Sequence, residues 1–179
     1  MQIINRRNKI FLCAQILLIV LVGCTSKKRP DKYIKKEEYY EKCMKIVLDE
    51  NRVGQEYFFK IEEKNINEFK LTYLGYISTA KSDTIKFLNA INYFGQYVDA
   101  KHAKGYVFLY NKMNENIGCY YVGGELSVPT KIEGSNLVFR YSDKNCNQTT
   151  AISFLDSIPN QIFINCTKDG GDLYSFTKE

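Results

Sequence analysis

The sequence predicts a mainly β fold, an antiparallel barrel or sandwich-like meander with one N-terminal helix. Three observations lead there. Apolar and polar residues alternate over short runs through most of the chain. Clusters of Gly, Asn, Asp and Ser separate those runs. The 14 Tyr and 11 Phe of the 179 residues load the runs with side chains that suit a pleated, half-buried surface. With 45% hydrophobic and 25% charged residues, the chain has the balance of a globular protein and is too short for several full-sized domains.

From Asp31 to Leu48, Tyr33, Ile34, Tyr40, Met44 and Val47 fall near one helical face, with Glu37, Glu38, Glu41 and Lys42 elsewhere. This is the predicted helix. The period then shortens towards two over Tyr57–Ile61, Phe69–Ile77 and Thr84–Phe94, which read as strands, although Leu88–Tyr97 also fits a short helix. Asp99–Lys104 reads as a polar linker. Tyr106–Tyr110 and Gly118–Val122 flank the polar run Asn111–Asn116 as a β-hairpin. Leu137–Tyr141 and Ala151–Leu155 are further strands, and Ile162–Cys166 pairs with Leu173–Phe176 across a turn at Gly170-Gly171.

The start of the chain has a different logic. Arg6, Arg7 and Lys9 precede an apolar run from Ile10 to Val22 that only Gln15 interrupts, followed by Gly23 and Cys24. This is the layout of a signal peptide, and its 13-residue run is shorter than the roughly 20 residues a permanent membrane helix needs. Leu21-Val22-Gly23-Cys24 resembles the lipobox of bacterial lipoproteins. That resemblance implies cleavage before Cys24, palmitate-type acylation of its thiol and anchoring to the membrane by acyl chains. Thr25 and Ser26, with no Asp after the cysteine, imply an outer-membrane location facing the periplasm. The expected organisation is a signal peptide over 1–23, a lipidated basic tether over 24–36 and one β-rich domain over 37–179.

Charge follows the same division. The formal net charge is +5, but residues 37–179 carry 16 basic against 19 acidic groups, a balance of −3. A mildly acidic domain lacks the concentrated basic face that phosphate contacts need, so no nucleic-acid partner is expected. Four cysteines remain in the domain, Cys43, Cys119, Cys146 and Cys166, an even number in an exported chain. The favoured pairs are Cys146 with Cys166 and Cys43 with Cys119, with free core thiols as the alternative.

No catalytic residue, metal site or cofactor is expected. The single imidazole, His102, sits in polar sequence without a recognisable partner, and phosphate-loop, GxSxG and HExxH patterns are absent. Asp143-Lys144-Asn145-Cys146-Asn147 begins like a calcium loop but has Gln148 where Gly is needed and Phe154 where Glu is needed. The loop carboxylates Glu125, Glu133, Asp143, Asp156, Asp169 and Asp172 read as solvated turns. The aromatic surplus supplies the candidate contact patch: Tyr106, Phe108 and Tyr110, beside one of the pair Tyr120 and Tyr121 on the next strand, with inward packing of the stripe as core the alternative. The expected role is a membrane-anchored, non-catalytic binding or assembly module with an envelope protein or glycan partner. The alternatives are an inhibitor or immunity-type lipoprotein and a carboxylate-dependent hydrolase of envelope glycan.

Overall fold

The computed structural model describes residues 36–61 and 65–178, apart from the Val98 side chain. The signal segment, Cys24 and all of the tether but Lys36 lie outside the described residues. The first element, α1 (Lys36–Glu50), carries Glu37 and Glu38 in its first turn, where the helix dipole favours negative charge. Two exposed pairs at i,i+4 lie along it, Glu38–Lys42 at 2.7 Å and Lys45–Asp49 at 2.9 Å. Asn51 stops it: its φ of 53° is the left-handed conformation that Asn tolerates after a helix, and its N–H still donates to the Val47 carbonyl.

Among the described residues ten strands follow: β1 (Glu56–Lys60), β2 (Ile66–Ser78), β3 (Thr84–Gly95), β4 (His102–Tyr110), β5 (Asn116–Tyr121), β6 (Lys131–Glu133), β7 (Asn136–Arg140), β8 (Thr149–Ser153), β9 (Gln161–Asn165) and β10 (Gly171–Lys178). They form an antiparallel seven-stranded sheet in the order β1-β2-β3-β4-β5-β10-β9 and a three-stranded sheet in the order β6-β7-β8. The predicted fold class holds, as the sandwich form with a helix added. β3 continues as strand to Gly95, so the helical alternative for Leu88–Tyr97 is wrong. The linker reading of Asp99–Lys104 is wrong too: a short helical turn covers Val98–Ala100, and β4 begins at His102. Alternation missed β6 because three residues are too few to show a period.

Each face of the large sheet carries a core. On one, Cys43, Val47 and Leu48 of α1 pack on Phe69, Leu71, Tyr73, Leu88 and Ala90. On the other, Leu137 and Phe139 of β7, with Phe154 just after β8, pack on Ile77, Ile85, Phe87, Val107, Leu109, Tyr120 and Ile162. Each fully buried large apolar side chain contributes about 1.5–3 kcal/mol. Phe154 links the second core, with its ring edge-on to Phe87 at 4.9 Å and to Tyr120 at 6.4 Å. The chain crosses between sheets beside Asn89, whose buried amide donates to the Pro129 carbonyl at 2.7 Å.

A β-bulge lets β2 serve both cores. Tyr73 is opposite Leu88 while Gly75 is opposite Phe87, so Leu74 is an extra residue, and Gly75 takes φ 109°. Phe69, Leu71 and Tyr73 therefore face the helix, whereas Ile77, which an unbroken period of two would place beside them, faces the small sheet.

Cys146, in the β7–β8 loop, is bonded to Cys166 at the end of β9 with a Cα–Cα distance of 4.4 Å. The bridge ties the small sheet to the edge of the large one, and the Asn147 N–H reinforces it by donating to the Cys166 carbonyl at 3.0 Å. Cys43 and Cys119 form no disulfide with each other, which corrects the second expected pair. The helix carrying Cys43 packs chiefly on β2, and Cys119 lies three strands further along the sheet. At about 4.8 Å per strand, that exceeds the roughly 7 Å Cα–Cα reach of a disulfide. Replacing Cys146 and Cys166 by Ser is expected to cost about 3 kcal/mol in urea unfolding. The Cys43→Ala/Cys119→Ala variant should show no loss on adding reductant beyond that of the parent chain.

Candidate ligand-binding surfaces

Strand register places the predicted aromatic residues. Tyr106 is opposite Tyr121 and Phe108 opposite Cys119, and all four point to the face that α1 occupies. The Tyr106 ring lies 5.3 Å from that of Tyr121 and 5.9 Å from that of Phe108. The helix shields only part of this face. Tyr106 and Phe108 are half-buried at its flank, and Tyr121 is exposed. Further out, Leu173 on β10 is opposite Phe163 on β9, and both are exposed on this face. Three of the five predicted patch residues thus come together.

The other two are placed differently. Tyr110 is buried under α1, with its hydroxyl on Met44 Sδ at 3.0 Å. Tyr120 points to the opposite face, fully buried, and donates to the Pro159 carbonyl at 2.5 Å. Consecutive strand residues such as Tyr120 and Tyr121 cannot share a face. Burial also pushes the Tyr120 phenol well above its usual range. Sequence reading missed Cys119, Phe163 and Leu173 in this surface. The signal for the last two was present, because alternation in each run assigns them to the side away from Ile162, Ile164 and Tyr174.

The surface has a charge-free centre. Tyr106, Phe108, Cys119, Tyr121, Ser175 and Thr177 share the face across three adjacent strands, and charged groups sit at its margin, on Lys104 of β4 and Glu37, Glu41 and Lys45 of α1. Between α1 and β4–β5 runs a groove of about 490 Å³, lined by Tyr40, Met44, Phe108, Tyr110 and Asn116.

Several of the loop carboxylates have protein partners. Glu125 accepts from Tyr93 at 2.6 Å and pairs with Lys70 at 3.4 Å, while Lys70 also meets Glu56 at 3.1 Å. Burial, then the Glu125 contact, holds the Tyr93 phenol well above its ordinary range. Glu133 pairs with Lys131, Asp143 accepts the Asn145 N–H, and Asp172 accepts from the Tyr174 hydroxyl. Asp169 is exposed in the β9–β10 turn. His102 is exposed, its ring 5.6 Å from Phe94. Among the described residues no group of three His, Cys, Asp or Glu is placed to hold a metal ion, and no helix is long and apolar enough to cross a membrane.

No model of a known family, no curated protein and no solved structure matches this chain.

At the Lys70 end of the sheet, Glu68 accepts from Lys101 at 2.6 Å, and that bond, the largest influence on it, holds the Glu68 carboxyl below its ordinary value. A depressed carboxylate contributes stability that is complete above its unfolded pKa of 4.5 and is lost as pH falls through the folded value. Both side chains are about a third exposed, so solvent screening keeps the pair to about 0.2–1 kcal/mol. Lys101→Met is expected to remove that increment at neutral pH and to flatten the acid limb of stability measured by urea unfolding.

Proposed function

We propose that the chain is a lipid-anchored protein of the bacterial envelope whose folded domain is a non-catalytic binding module for another envelope protein. One observation carries the reading: half of a sheet face is left open beside α1, and its centre is aromatic and free of charge. Desolvated aromatic centres with charged margins are the anatomy of protein–protein interfaces, because rigid rings bury large areas at little entropic cost while charge is expensive to desolvate.

The lipobox-like Leu21-Val22-Gly23-Cys24 supports the anchored part of the proposal, with outer-membrane placement following from Thr25 and Ser26. The basic run from Lys27 to Lys36 between lipid and domain suits a spacer beside anionic headgroups. Binding rather than catalysis is favoured by the loop carboxylates Glu125, Glu133, Asp143 and Asp172, which are engaged in ion pairs or hydrogen bonds within the fold.

The test is cross-linking in intact host cells through a C-terminal tag. The parent chain should capture a stoichiometric envelope protein. Tyr106→Ala/Phe108→Ala should lose it while fractionating with membranes, and Cys24→Ala should lose both capture and membrane fractionation. Capture that survives the aromatic substitutions would remove the sheet face from the interface. Membrane fractionation that survives Cys24→Ala would remove the lipid anchor.

A further inference from the structure

On the opposite face from the aromatic surface, and at one end of the sandwich, lies a second concavity. The β2–β3 turn, the β4–β5 turn, the β8–β9 loop and the end of β10 enclose a cleft of about 640 Å³, within the size range of small-ligand sites. Its floor is the rim of the second core: Ile85, Ile117, Ile158 and Phe176. Above the floor stand three ammonium groups, Lys81, Lys112 and Lys178, and two carboxylates, Asp83 and Asp156.

The charged groups here differ from those at the other end of the large sheet. There, Lys60, Lys70 and Lys101 all sit in ion pairs with Glu56, Glu68 or Glu125. In the cleft, Lys81, Lys112, Lys178, Asp83 and Asp156 make no ion pair among the described residues, although both signs are present.

The walls that carry them are held by hydrogen bonds to their backbone. The Ala80 N–H donates to the Leu155 carbonyl at 2.7 Å, locking the β2–β3 turn to the loop after β8. Asn111 closes the β4–β5 turn by accepting the Met113 and Glu115 N–H groups at 2.8 and 3.0 Å. The β8–β9 loop is held by the Tyr120 hydroxyl on the Pro159 carbonyl and by the Phe176 N–H on the Asn160 carbonyl at 2.8 Å. Fixed walls with unpaired polar heads lower the ordering cost of binding.

We infer that this cleft binds an acidic saccharide. The apolar floor with one aromatic ring suits the C–H face of a sugar. Carboxylates and amides accept from and donate to ring hydroxyls, and ammonium groups hold the acid as point charges. The five charged groups sum to one positive charge, which matches one carboxylate in a ligand otherwise made of hydroxyls. The inference goes beyond the proposed role, because it concerns a separate surface on the other side of the sheet.

The experiment is calorimetric titration of the full chain in detergent micelles with a trisaccharide of two galactose residues and one galacturonic acid, the neutral galactose trisaccharide and inorganic phosphate. The acidic trisaccharide is expected to bind, more weakly at high ionic strength, and the neutral one far less. Replacing Lys81, Lys112 and Lys178 together by Gln should weaken binding at least about tenfold. The charge-matched control Lys131→Gln/Lys144→Gln/Lys168→Gln should leave it unchanged and shows that the fold tolerates the charge change.

Asp83→Asn/Asp156→Asn separates a saccharide site from a generic anion sink. It should weaken the acidic trisaccharide, by exchanging charged two-oxygen acceptors for its hydroxyls for single, weaker amide oxygens, while tightening phosphate. If it tightens both, or if phosphate binds the parent chain as well as the trisaccharide, the saccharide assignment is overturned. Equal binding of the neutral trisaccharide, no binding of any probe, or indifference to the lysine substitutions also overturns it.

Discussion

The bulge at Leu74–Gly75 sets what every other element can bury. A strand with apolar residues at alternate positions normally has one buried face. β2 is 13 residues long and serves two cores, because one extra residue turns its second half over. Without that inversion Ile77 would face the helix side beyond Tyr73, and the sheet would lose part of the surface on which Leu137, Phe139 and Phe154 pack. β3 supports the inversion with unbroken burial from Phe87 to Ile91, which presents buried side chains to both sides at once. The helix and the small sheet are therefore alternative covers for successive stretches of the same two strands.

That division of labour creates the open surfaces. The helix is 15 residues long and packs chiefly on β2, so it cannot also cover β5, β10 and β9, whose outer side chains remain exposed on that face. The small sheet has strands of three to five residues, too short to reach the hairpin tips of the large one, and the cleft lies under those tips. Both surfaces follow from mismatched cover lengths on a long sheet. A mismatch of this kind leaves apolar side chains at the edge of each core, and these supply the aromatic face in one case and the cleft floor in the other.

Much of the fold was legible in the sequence, and the reasons differ by element. Alternation located nine of the ten strands because each has at least five residues in which to show its period. The hairpin at Gly170-Gly171 was legible from turn chemistry, and the Cys146–Cys166 bridge from even cysteine count and proximity. Pairing order was not legible: β10 inserts between β5 and β9, and no local signal marks a contact between Phe176 and Tyr120, 56 positions apart. Nor was the bulge, since Phe69, Leu71, Tyr73 and Ile77 keep an unbroken period on paper. The same limit explains the sites. Tyr106, Phe108 and Tyr121 were found because they lie on one hairpin, whereas the cleft draws its residues from four separated segments that only the closed fold brings together.

The two ends of the large sheet show how charge separates structural from available groups. Lys70 and Glu68 project from the first half of β2 and are held by neighbours on β1, by Glu125 or by Lys101, so their charge is spent on fixing loops to the sheet. Lys81, Lys112, Asp83 and Asp156 project from turns, where no adjacent strand offers a partner at cross-strand distance. Backbone hydrogen bonds, rather than side-chain ion pairs, hold those turns in place. A turn stabilised by its backbone leaves its side chains free for a ligand, and the paired residues at the other end have no such freedom.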